Sequence, residues 1–98
     1  MILTKWRGKP VILKPHAEEA MRKRGININT LIEAIENPDD VYYNTKTNRF
    51  ILVKMLDEDR GIIVVLDEFE GKAEIVTTWI SSRAKKLVTR RRRRGRWV

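Results

Sequence analysis

Three groups of residues in this sequence are of types that do chemistry on charged ligands. His16 is the only histidine, and so the only side chain of a type that carries protons near neutral pH. Lys54 places a charge inside the otherwise apolar run from Phe50 to Leu56, on the face of Phe50 and Leu52. Such a lysine either snorkels out at the strand end or projects from the sheet toward a ligand. Arg49, five positions earlier, lies on the opposite side by strict alternation, so the two share one site only if the strand bulges or twists. The third group is a run of nine cations with no acid among them: Arg83, Lys85, Lys86, Arg90, Arg91, Arg92, Arg93, Arg94 and Arg96. Cysteine is absent, which removes disulfides, thiol nucleophiles and thiolate metal sites. With a single histidine and acidic residues that do not cluster as a metal box, no metal or cofactor is expected.

The charge is unevenly distributed. The chain of 98 residues carries +8, from 21 Lys and Arg against 13 Asp and Glu. Residues 83–98 hold nine of the basic groups, which leaves the rest of the chain close to neutral. The division expected is a single α+β domain over residues 1–82 and a basic tail over 83–98. A block of like charges cannot pack against itself, so it is either solvated or an arm that meets a polyanion. Nucleic acid is the commonest such partner, and the planar donor fork of arginine suits phosphate. A solubilising tail and a surface for an acidic partner protein are the alternatives. With 42% hydrophobic and 35% charged residues the composition is globular. No apolar run approaches the roughly 18 residues of a membrane span, and no signal segment follows Met1, so a cytoplasmic protein without membrane association is expected.

The elements that must position these residues follow from the periodicities. Residues 1–9 show no clear period. Val11 to Leu13 is a short apolar run between prolines, suited to a strand. Pro15 to Arg24 reads as a helix with Glu18 and Glu19 near its start, Arg22 to Arg24 near its end, and Gly25 as a left-handed stop. Ile28, Leu31, Ile32 and Ile35 recur with helical spacing, Asn27 or Asn29 caps them, and Asn37-Pro38 ends them. Four strands are then expected: around Val41–Tyr43, over Phe50–Leu56, over Ile62–Leu66 and over Ala73–Ile80. The third reads as a central strand covered on both faces; in the fourth Ile75, Thr77 and Trp79 alternate with Glu74, Val76 and Thr78. The predicted fold is α+β, in the order β-α-α-β-β-β-β, with two helices on one face of a twisted, mainly antiparallel sheet. Ser81 or Ser82 starts a last helical stretch that dissolves into the arginine run. Trp6 and Trp97 stand beside arginines, as base-stacking residues do, or dock on the domain itself.

The stretch His16-Ala17, Met21, Arg24-Gly25-Ile26 and then Ala34 to Asp39 resembles a small prokaryotic family of unsettled function with the pattern H-A-x-x-R-M-x-x-R-G-I followed by A-I-x-N-P-D. The chain departs from that pattern at Ala20, where the family has arginine. Ile80 to Lys86 is similar to the I-S-A-R-x-A ending of BrnT-type toxins. Both groups resemble the RelE/ParE toxin superfamily, whose order of two helices and then an antiparallel sheet is the order read above. The resemblance implies a metal-independent mRNA endonuclease toxin or its descendant, held by an acidic antitoxin, with RNA favoured over DNA. The alternative is a non-catalytic nucleic-acid-binding module, a plasmid, viral or host accessory protein.

RNA cleavage without a metal needs a base, an acid and cations for the developing phosphorane charge. The resemblance nominates Lys54, Arg83 and Arg49 as the cations and His16 as the proton carrier; otherwise His16 is a cap or anchor of the first helix. The remaining cations, Lys85, Lys86, Arg90, Arg91, Arg92, Arg93, Arg94 and Arg96, are the expected nucleic-acid contacts.

Overall fold

The computed structural model describes residues 1–98. Two strands, β1 (Ile2–Trp6) and β2 (Lys9–Ile12), lead into two helices, α1 (Pro15–Lys23) and α2 (Ile28–Glu36). Four further strands follow, β3 (Asp40–Asn44), β4 (Arg49–Met55), β5 (Gly61–Glu68) and β6 (Ala73–Ser81), and a last helix, α3 (Ala84–Arg93). The six strands form one sheet in the order β1-β2-β6-β5-β4-β3. β2 lies parallel to β6 and every other neighbouring pair is antiparallel.

The expected α+β class, the two helices and the antiparallel meander β3 to β6 are all present. The order differs at both ends. β1 has no apolar period because only Trp6 of its five residues is buried. It is held by the two-residue turn Arg7-Gly8, both in the left-handed region at φ 52° and 77°, the geometry that matches the twist of a hairpin. Arg7 adopts that conformation with its guanidinium 4.5 Å from the Trp6 ring and 4.7 Å from that of Phe50. Because Trp6 meets Phe50, at 5.0 Å between ring centroids, the outermost strand curls back over the core toward β4.

The α1 stop and the α2 caps follow the sequence signals. Gly25 takes φ 67°, and the Asn27 side chain accepts the backbone N–H of Asn29 at 2.8 Å. One core, under α1 and α2, joins Val11, Met21, Leu31, Ile35, Leu52 and Ile62 among others. A second, smaller core occupies the opposite face, where Ile51, Val53, Ile63, Val65 and Trp97 pack with Leu87 and Val88. β5 is therefore buried on both faces, from Gly61 to Leu66.

Strict alternation fails on β6. The pairing of β5 with β6 shifts by one residue between Val65–Thr77 and Leu66–Ile75. This bulge puts Ile75 in the first core and Trp79 in the second, although the two share a parity.

Candidate nucleic-acid interface

The segment expected as a tail is part of the fold. Ala84, Leu87, Val88 and Arg91 fall at i, i+3, i+4 and i+7, and they are the α3 residues withdrawn from solvent. Ala84 is fully buried against Gly61, where an added Cβ would lie 2.8 Å from the Ala84 Cβ. The Ala84 N–H donates to the Asp59 carbonyl at 2.9 Å, tying the helix start to the β4–β5 turn. After Gly95, in the left-handed region at φ 69°, the chain turns back along β3. Thr45 N–H donates to the Arg96 carbonyl at 2.8 Å, and Tyr43 and Val98 exchange both backbone bonds at 2.9 and 3.0 Å. Trp97, 4% exposed, stacks on Tyr42 with centroids 5.9 Å apart. Trp6 and Trp97 both dock on the domain, so neither is free to stack on a base.

The outward side of α3 is cationic. Lys85, Lys86, Arg90, Arg93 and Arg94, with Thr89 among them, line an open groove of about 460 Å³ that contains no apolar side chain. Eight ion pairs form in the molecule and all lie within residues 9–74, engaging eight of the twelve basic residues before position 83. None of the nine cations of residues 83–98 is in one. The free charge of the protein is thus concentrated on one helix.

Not every cation of the run faces outward. Arg91 is half-buried with its guanidinium 6.0 Å from the Trp97 ring, and its Nε is buried without a hydrogen-bond partner. Arg92 lies 5.7 Å over the ring of Tyr42. Arg96 is half-buried in the strand-like return. Burial, with Asp40 adding to it, raises the Tyr42 phenol above its ordinary value, while Arg92 pulls the other way.

A second groove, of about 610 Å³, runs between α3 and the β3–β4 edge. Val53, Met55, Val88 and Tyr42 give it an apolar floor, and Lys85, Arg92, Arg93 and Asp40 give it a charged rim. Sequence reasoning did not find this groove. The signal was the helical spacing of Ala84, Leu87 and Val88, which the surrounding arginines mask.

The four residues nominated for catalysis do not converge. β4 pairs with both neighbours without a shift in register, so Arg49 and Lys54 point to opposite faces. Arg49 is committed to Asp67 at 2.9 Å on the α3 face. Lys54 stands on the α2 face, 3.8 Å from Asp39 and beside Glu33, Asn29 and Thr30. His16 is exposed on α1 and makes no side-chain hydrogen bond, so it neither caps nor anchors that helix; Ala17 and Met21 do the anchoring. Lys14, two residues before it, pairs with Glu74 at the start of β6, whereas Lys54 is in register with Ile62 and Ile80 at the far end. Glu74 and Ile80 are separated by about 20 Å of strand at ~3.3 Å per residue. Only Arg83, at the α3 N-cap, borders the cationic surface, in a pocket it shares with Lys85 and Lys86 and with the acidic Glu58 and Asp59.

Compared with models of protein families, with curated proteins and with solved structures, the chain matches none. No helix is long and apolar enough to cross a membrane.

Proposed function

We propose that this protein is a nucleic-acid-binding α+β domain whose contact surface is the outer face of α3. The observation that carries the reading is the complete absence of ion pairs among the nine cations of residues 83–98, while two-thirds of the other cations are paired. A preformed helix presenting unpaired Lys and Arg along one side displaces condensed counterions from a phosphate backbone without first having to fold. Within that class the reading is a protein of the RelE/BrnT-like kind, acting on RNA in preference to DNA.

The test is the salt dependence of binding to labelled RNA and DNA strands. If six of the exposed cations meet phosphates, log K against log salt has a slope of about −4 for single strands and about −5 for duplexes. Replacing Lys85, Lys86, Arg90 and Arg93 together by Gln reduces the single-strand slope by about 3 while the fold is kept. An unchanged slope in that variant overturns the reading.

The second reading is a metal-independent endoribonuclease toxin with an acidic antitoxin partner. It is supported by the succession of two helices and an antiparallel meander that the resemblance implies. The dispersal of His16, Arg49 and Lys54 weighs against it, and Arg83 is the one nominated residue that borders the cationic surface. Cleavage of RNA in EDTA, lost in Arg83→Ala with binding retained, is its expected signature. Intact RNA at micromolar protein, with and without ribosomes, leaves the binding module alone.

A further inference from the structure

We infer that the groove between α3 and the β3–β4 edge holds one guanine base of a single-stranded nucleic acid, selected by the carboxylate of Asp40. This inference rests on the nucleic-acid reading above and adds to it a ligand position and a base identity.

The groove, at about 610 Å³, is within the size range of small-ligand sites and larger than a nucleobase requires. Its floor of Val53, Met55 and Val88 with the edge of Tyr42 suits a flat, weakly polar ring. The charged groups around it are disposed unusually. Asp40 shares the groove with Lys85, Arg92 and Arg93, yet it forms no ion pair and its side chain makes no hydrogen bond. The neighbouring Asp39, by contrast, is occupied by the Met55 N–H at 2.6 Å and by Lys54. The groove therefore keeps one acceptor and several cations apart across an apolar floor.

An ionised carboxylate offers two acceptor oxygens and no donor. The guanine Watson–Crick edge sets two donors side by side, N1–H and the N2 amino group, which match those two oxygens. Adenine and cytosine each place an acceptor next to their amino group, and uracil flanks its single N–H with two carbonyls. Against any of these a carboxylate meets a lone pair. In a duplex the guanine edge is consumed by pairing, so the site demands an unpaired base. Lys85 and Arg93 line this groove and the outer cationic groove alike, which gives the flanking phosphates a continuous path onto α3.

The experiment measures fluorescence anisotropy of ten-nucleotide uridine strands that carry one central G, A or C, or none, against the full-length protein at fixed salt. The wild type is expected to bind the G strand about tenfold more tightly than the other three, the discrimination a two-bond base contact gives. Asp40→Asn, an exposed edge position, is expected to erase that preference. Thr89→Trp, which fills the groove from the exposed side of α3, should erase it independently. Equal binding of all four strands by the wild type overturns the guanine site and leaves the electrostatic reading standing. A preference for G that survives Asp40→Asn overturns the role of Asp40. Binding of no strand withdraws the nucleic-acid reading and this site with it.

Discussion

At the scale of single residues, the turn at Asp57 shows how an acidic cluster can be local architecture. Asp57 Oδ1 accepts the backbone N–H groups of Asp59 and Arg60 at 3.0 and 2.7 Å, and its Oδ2 accepts Arg60 Nε at 2.7 Å. These donors, the Arg60 backbone first, hold its carboxyl down at about 2. Glu74 is lowered too, by hydrogen bonds from Lys14 and then Lys72. Both folded values lie below the unfolded ones, so their contribution is present above the ordinary carboxylate range and is lost as pH falls through the folded values. Thermal midpoints should therefore hold from neutrality to about pH 4.5 and fall between there and pH 2. Asp57→Asn should flatten the part of that fall below pH 4. A stability curve that is flat down to pH 2 in the wild type would contradict the geometry. His16 illustrates the converse: it was the one neutral-pH proton carrier the sequence offered, or else an anchor of the first helix, yet it is exposed and makes no side-chain hydrogen bond.

Among the elements, α3 carries the most strain against its own charge. Cations at its start oppose the helix dipole, those in its last turn favour it, and like charges four apart repel. Its attachment is correspondingly narrow. At Gly61 the helix leaves no room for a side chain: an added methyl would meet Ala84 Cβ at 2.8 Å, Met55 Sδ at 3.1 Å and the Lys54 carbonyl at 3.3 Å. Gly61→Ala should cost about 1–3 kcal/mol, the range for overpacking a tight contact. The loss should fall on the attachment of α3, visible as faster amide exchange over residues 84–93 than in the rest of the protein. Protection lost uniformly across β4, β5 and α3 would show instead that the helix and sheet open as one unit.

For the whole molecule, the consequence is that binding surface and fold are not separable. Removing residues 90–98 takes away Trp97, a member of the second core, and the strand-like return along β3. Burial of a large aromatic is worth about 3–5 kcal/mol, a large share of the stability of a domain this size. The truncated chain should melt many degrees lower or fail to fold, as read by near-ultraviolet circular dichroism and thermal melts. A truncation with native stability would mean that the arginine helix is dispensable. Charge-neutral substitution on the outer face of α3, rather than deletion, is for this reason the proper way to separate binding from stability.

What the sequence determined by itself was what local patterning controls. The helix α2 with Leu31 and Ile35 on the core, the Gly25 stop, the Asn27 cap and the four strands of the meander are legible because each depends on neighbours within a few positions, although Ile28, read as part of the same stripe, stays exposed. The concentration of positive charge in residues 83–98 was equally plain. What tertiary structure decided was what depends on distant partners. β1 exists because β2 and the Phe50 ring receive it, and its own residues show no period. The β6 bulge is set by the register with β5, so it moved Trp79 to the face that parity denied it. The arginine run became a helix because three small or apolar side chains, Ala84, Leu87 and Val88, found an open sheet face, with Trp97 sealing its edge. Helices gain most of their stability from such packing rather than from propensity, and a packing partner some 30 residues away leaves no local mark.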